Sequence, residues 1–160
     1  MTEDGKRLRV LVVDDHQVIA DTLASILQVS GYEATTAYSG EQAVETAITS
    51  NTDVLITDVV MGGISGIEAA VRILRNRPAC KIILFSGQAG TANLIEESEA
   101  QGYDFEIFNK PVHPTVLLNC LAAWQVNPTW KCKPLRDDDQ RRRGVGLRTH
   151  PSIPAPALAR

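Results

Sequence analysis

Five short segments rich in strand-forming residues, spaced by stretches of helical periodicity, constrain this chain more than any other feature of its sequence. They are Arg9–Asp14, Tyr32–Tyr38, Asp53–Asp58, Lys81–Ser86 and Phe105–Phe108. Segments one, three and four carry Val-Leu-Val-Val, Val-Leu-Ile-Thr and Ile-Ile-Leu-Phe, nearly continuous apolar runs. Strands buried on both faces need that composition, as in a parallel sheet covered by helices. Between the segments, apolar residues fall at helical spacing. Ile19, Leu23, Ile26 and Leu27 line one face, with Gly31 where a helix C-cap is expected. Ser39-Gly40-Glu41-Gln42 reads as a capping box opening a second helix. Ile67, Ala70, Val71 and Leu74 form a third stripe, closed off by Pro78. A fourth helix, acidic and weakly amphipathic, is predicted over Thr91–Ala100. The fifth begins near Pro114 and buries Leu117, Leu121 and Trp124.

This alternation predicts an α/β fold, (βα)5, with a doubly wound, parallel five-stranded sheet and right-handed crossovers. A flavodoxin-like strand order, 2-1-3-4-5, is one common solution for five strands. The folded unit is expected over 8–126, after a short N-terminal extension, 1–7. Composition changes beyond it. Five of the eight prolines lie between Pro128 and Pro156, beside Asp137-Asp138-Asp139 and Arg141-Arg142-Arg143, so 127–160 reads as a basic, Pro-rich, disordered tail. It is too poorly patterned for a DNA-binding helix-turn-helix module.

Charge divides along the same line. Residues 1–126 hold eight Lys or Arg against sixteen Asp or Glu, a balance of −8, whereas 127–160 hold eight against three, +5. An acidic body argues against nucleic-acid binding. The polar start, Met1-Thr2-Glu3-Asp4-Gly5-Lys6-Arg7, has no leader-like apolar stretch, and no apolar run approaches the roughly 20 residues of a membrane span. A cytoplasmic location is therefore the expectation. Cys80, Cys120 and Cys132 lack metal-ligand spacing and are expected as free, reduced thiols.

Ligand sites of open α/β sheets lie beyond the carboxyl ends of the strands. Strand one ends in Asp14-Asp15, strand three in Asp58, strand four in Ser86 and strand five before Lys110-Pro111. Each alone has a bland explanation: a lone Asp there is usually a helix cap, Ser86 an ordinary hydroxyl, Lys110 a surface charge. Together they would place three carboxylates, a hydroxyl and an ammonium in one cleft. Clustered carboxylates repel unless a cation compensates, and Mg2+ is a hard, oxygen-seeking candidate. Lys110 and Ser86 suit an incoming phosphoryl group, one by charge and one as a hydrogen-bond donor. The set fits an aspartate that becomes phosphorylated, because phosphoryl transfer depends mainly on positioning and charge neutralisation.

With these residues in place, the pattern Val10-Leu11-Val12-Val13-Asp14-Asp15, then Asp58-Val59-Val60-Met61 with Gly66 following, then Ser86, then Lys110-Pro111, resembles the receiver domain of two-component response regulators over about residues 8–124. The resemblance implies that Asp14, Asp15, Asp58 and the Val60 backbone carbonyl hold Mg2+, that Asp58 accepts a phosphoryl group from a phosphohistidine of a sensor histidine kinase or phosphotransfer protein, and that Ser86 and Lys110 bind its oxygens. It also implies a cis Lys110–Pro111 bond. The chain would be a stand-alone switch, not an enzyme beyond its own phosphoryl acceptance and slow autodephosphorylation. Its message to an unidentified protein target would pass through the face of helix four, strand five and helix five, including Glu96, Glu97, Glu99 and Glu106.

The chain departs from the family pattern in the loop after Met61, where Gly62-Gly63 replaces a common proline and predicts added flexibility. Ile107 stands where family members often carry a switch aromatic, and the segment from Gly102 to Lys110 is one residue longer than usual. Val60 stands where fast-cycling relatives often have a polar residue, which predicts slow loss of phosphate. Competing readings are a flavin-binding electron carrier, which Asp14-Asp15 would repel; an aspartate-nucleophile phosphatase, which needs a second Asp where His16 stands; and a phosphorylation-independent protein-binding module. His16 reads as a solvated loop residue.

Overall fold

The computed structural model describes residues 6–87 and 91–132. Five strands, β1 (Arg9–Val13), β2 (Glu33–Ala37), β3 (Val54–Asp58), β4 (Lys81–Ser86) and β5 (Glu106–Asn109), alternate with α1 (Gln17–Val29), α2 (Gly40–Thr49), α3 (Gly66–Asn76), α4 (Ala92–Ala100) and α5 (Pro114–Val126). All pairings are parallel and the order is β2-β1-β3-β4-β5, so the flavodoxin-like expectation holds.

Successive residues of a strand point to opposite faces, and β1 divides the core accordingly. Val10 and Val12 pack with Ala20, Leu27, Leu117 and Trp124, on the α1 and α5 side. Leu11 and Val13 pack with Ala43, Ala47, Ala70 and Ile73, on the α2 and α3 side. This two-sided burial explains why β1, β3 and β4 read as unbroken apolar runs. Each fully buried Leu or Ile contributes about 1.5–3 kcal/mol relative to its exposed state.

Local signals act much as the sequence predicts. Gly31 has φ +97 just beyond α1, a left-handed conformation that glycine adopts without steric cost. Ser39 caps α2, accepting from the Gln42 amide at 3.1 Å, while the Gln42 side chain reaches past the cap to accept from the Tyr38 amide. Pro114 opens α5 and the helix buries Leu117, Leu121 and Trp124 as expected, with Cys120 added.

The stripe on α1 is rotated from the expected one. Its buried residues are Ala20, Ala24 and Leu27, whereas Ile19 is half exposed. Small alanines let the helix approach the sheet closely, which swings Ile19 and Leu23 to the rim of an apolar groove shared with Phe85, Pro111 and Val112. On α3 the fully buried residues include Ala69 and Ile73, and Val71 and Leu74 lie at the flank.

The cysteine expectation is corrected. Cys120 and Cys132 form a disulfide with their Cα atoms 5.5 Å apart, and Cys80 alone is free and buried. The cause is a turn-back after α5. Trp130 N–H donates to the Asn127 carbonyl, and Trp124 Nε1 donates to the Trp130 carbonyl at 2.7 Å, which returns Cys132 to the side of Cys120. Residues 127–132, read from sequence as the start of the tail, thus fold against α5. The rest of that tail, 133–160, and positions 1–5 of the N-terminal extension lie outside the described residues.

Candidate functional site

Asp14 follows the last residue of β1, where its amide donates to the Ala37 carbonyl, and it is 3% exposed. Its Oδ1 accepts the His16 amide at 2.9 Å, so one carboxylate oxygen is tied to the start of α1. Asp58 ends β3, and the next amide, Val59, donates to the Phe85 carbonyl of β4. From β5, the Lys110 amide donates to the Ser86 carbonyl at 2.8 Å, which hangs the lysine directly over the ends of the strands. The Lys110–Pro111 peptide is cis.

These anchors bring distant charges together. Lys110 Nζ lies 2.8 Å from Asp58 Oδ2 and 4.0 Å from Asp14 Oδ2. The Asp58 side chain is 13% exposed and that of Asp14 5%, so the ammonium is the neutralising group for two largely desolvated carboxylates. Asp15 is more open. His16 Nδ1 stands 3.2 Å from Asp15 Oδ1 and 3.3 Å from Asp14 Oδ1. Ligand atoms of Asp14, Asp15 and His16 lie within 4.8 Å of one another, and Asp58 is linked to this group through Lys110. Oxygen donors dominate the set, which fits a hard divalent cation such as Mg2+.

Ser86 is buried and shares a hydrogen bond with the Thr91 hydroxyl. Both line a cavity of about 350 Å3 with Ile95, Asn109 and Lys110. Thr91, read from sequence only as the start of a helix, therefore belongs to the site's wall. Its sequence carries no signal beyond a hydroxyl five residues after Ser86. Val60 is 62% exposed and leaves its side chain outside the packed wall.

The loop from β3 to α3 is fixed by close approach. A Cβ on Gly66 would meet the Asp58 carbonyl oxygen at 1.9 Å, so only glycine lets α3 start this near the site. Gly63 takes φ +80 beside the Glu41 carboxylate, which accepts the Ile64 amide at 3.1 Å. Hydrogen bonds from its own backbone amide and from Ile64 hold the Glu41 carboxyl below its ordinary range. Glu41 thus clamps the loop that Gly62-Gly63 would otherwise loosen. At the position of the family's aromatic switch, Ile107 is half-buried; Phe105 stacks on Tyr103, and Phe108 meets Phe85 edge-on.

Comparison with known proteins agrees with this architecture. Residues 10–122 match the response regulator receiver domain model. The chain is 34% identical over 114 residues to chemotaxis protein CheY of Thermotoga maritima, covering 71% of this chain and 93% of that one. It is 32% identical over 110 residues to a cyclic di-GMP phosphodiesterase of the same organism, covering 69% of this chain but only 29% of that longer protein. Among solved structures, response regulator TrrA of Thermotoga maritima in complex with Mg2+-BeF is similar at TM-score 0.62 and 33% identity, covering 72% of this chain and 97% of that one. Vibrio cholerae CheY4 is similar at TM-score 0.64 and 31% identity, covering 74% and 98%. The strand-end carboxylates, the lysine reaching across them and a family match spanning most of the chain lead to one assignment: this chain belongs to the response regulator receiver domain family of two-component signalling.

Proposed function

We propose that the chain is a phospho-accepting switch in which Asp58 takes a phosphoryl group from a phosphohistidine on a sensor histidine kinase or phosphotransfer protein. The observation that carries this reading is Lys110 Nζ held 2.8 Å from Asp58 Oδ2 while also facing Asp14. An ammonium poised there offsets the charge of the Asp58 carboxylate, yet can turn to a phosphoryl oxygen once charge arrives. In the transfer, an Asp58 carboxylate oxygen forms the new bond to phosphorus as the phosphorus–imidazole nitrogen bond breaks. Ser86, released from Thr91, donates its hydroxyl to a phosphoryl oxygen in the adjoining cavity.

Asp14, Asp15, Asp58 and the Val60 carbonyl would hold Mg2+, which supplies neutralising charge for the phosphoryl oxygens. His16 is aimed at the outer face of the same carboxylates. Among the described residues no helix is long and apolar enough to cross a membrane, and we place the switch in the cytoplasm with its kinase. Its downstream partner is a protein reached through α4, β5 and α5; no direct DNA binding is assigned.

The test is NMR of the full chain with Mg2+ and beryllium fluoride, a phosphoryl mimic. Amide shifts centred on Asp58, Ser86 and Lys110, absent in Asp58→Asn, are expected. A folded chain whose amides do not respond would favour a phosphorylation-independent binding module.

A further inference from the structure

The Cys120–Cys132 disulfide lies away from the carboxylate cluster and serves nothing in the proposed phosphoryl transfer. It closes a separation of 12 residues and pins the 127–132 segment along α5. Little else holds that segment. Trp124 Nε1 bonds the Trp130 carbonyl, the Cys132 amide donates to Glu106 Oε1 at 3.1 Å, and Lys131 pairs with Asp104. The Lys131–Asp104 pair is open to water on both sides and adds little.

Packing beneath the segment is incomplete. A groove of about 650 Å3 separates Trp130 and Lys131 from Phe108, Val116, Asn119 and Ala123, and Trp130 is 57% exposed. A segment held by few bonds over a groove opens at small cost when its covalent tie is cut. Cys120 and Cys132 are only 5% and 6% exposed, but both line that groove, through which a reductant reaches the tie. Cys80, by contrast, is buried on the other face of the sheet, and burial pushes its thiol up to about 12.

We propose that Cys120 and Cys132 form a thiol–disulfide switch whose reduction by a dithiol lifts the 127–132 segment from α5 and β5. The reductant's thiolate attacks one sulfur, breaking the S–S bond and forming a mixed disulfide. Its second thiol displaces the chain's cysteine. Two electrons and two protons pass to the chain, which ends with two thiols, and the reductant ends as its own disulfide. The switch rests on the cytoplasmic placement proposed above, because a disulfide in a reducing compartment is usually transient or redox-sensing rather than permanent. The consequence is local: oxidation holds the segment over Phe108 and Ala123 and ties Cys132 to Glu106 on β5, and reduction frees both.

The experiment equilibrates the full chain in buffers of graded reduced and oxidised dithiothreitol, then alkylates the acid-quenched, denatured protein and measures its mass. One alkylated cysteine at the oxidising end and three at the reducing end are expected. Hydrogen exchange on the same samples reads the segment. Amides of 127–132 should exchange about a hundredfold faster when reduced, from the loop-closure entropy of a tie this short, while β1 and β3 amides stay protected. Cys132→Ser, which swaps a buried sulfur at the margin of the α1–α5 core for an oxygen of similar size, should exchange like the reduced form in every buffer. Three free thiols in every buffer, with circular dichroism showing intact fold, would overturn the proposal. So would a disulfide that no dithiol reduces until β1 and β3 exchange, or one whose reduction leaves the exchange of 127–132 unchanged. None of these readouts depends on phosphorylation.

Discussion

The carboxylate cluster and the α5 flank are joined by opposite means. At the cluster, Lys110 meets Asp58 across 52 positions of sequence, and their encounter depends on the β3–β4–β5 register. On the flank, a covalent bond closes a separation of 12 residues and needs little more than one helix and a turn. The first is cooperative with the whole sheet: whatever shifts a strand shifts the site. The second can open while the sheet stays formed, because its removal uncovers one groove and takes only Cys132 from the margin of one core.

Variants that act on one region and spare the other sharpen this contrast. Gly66→Ala should have the largest effect, because the new Cβ meets the Asp58 carbonyl rather than a movable side chain. A loss of about 3 kcal/mol in urea unfolding is expected, with weakened phosphoryl acceptance at Asp58. Cys132→Ser should lower stability by about 2–3 kcal/mol under oxidising conditions yet leave phosphoryl acceptance unchanged, measured by denaturation and by labelling. If it impaired labelling as strongly as Gly66→Ala, the two regions would not be separable. Lys110→Ala removes the ammonium that competes with a metal for Asp14 and Asp58. Mg2+ affinity should rise about tenfold in a calorimetric titration, while retention of a phosphoryl mimic falls.

Smaller effects come from the edges of each region. The apolar, exposed side chain of Val60 cannot orient an attacking water. Val60→Asn should shorten the lifetime of the phosphorylated form severalfold, about the worth of one added hydrogen bond, in a mass-spectrometric decay assay. Glu106, desolvated beneath the turned-back segment, has its carboxyl raised above the ordinary 4.5 despite the Cys132 amide bond. The folded state therefore holds that proton more tightly than the unfolded chain does. Its stabilising effect is full below 4.5 and is lost as pH rises through the raised value. Glu106→Gln should flatten this part of the pH–stability curve, seen as a smaller drop in urea midpoint between acid and neutral pH.

Sequence patterning reached the cluster better than the flank for the same reason. Buried strands leave unbroken apolar runs, and the residues that end those runs, Asp14, Asp58, Ser86 and Lys110, stand at one edge of any parallel sheet. Ser39, Gly31 and Pro114 marked helix ends because their local chemistry decides them. The rotated α1 stripe was not legible, since Ala20 and Ala24 are chosen by how closely the helix approaches the sheet, not by hydrophobicity. The disulfide was hidden because only the turn at 127–130 brings Cys132 back to Cys120, and spacing alone does not distinguish that from two separate thiols. Glu41 and Thr91 were missed as supports of the site, because each acts on a loop formed by a different part of the chain.

Phosphoryl acceptance by Asp58 in a cation-dependent cluster is decided by intact mass after incubation with acetyl phosphate and Mg2+, beside Asp58→Asn. One added phosphoryl group is expected on the parent chain, lost on chelation of the metal and absent in the variant. A folded parent chain that stays unmodified under conditions that label an ordinary receiver, or an adduct that persists in Asp58→Asn, would contradict it.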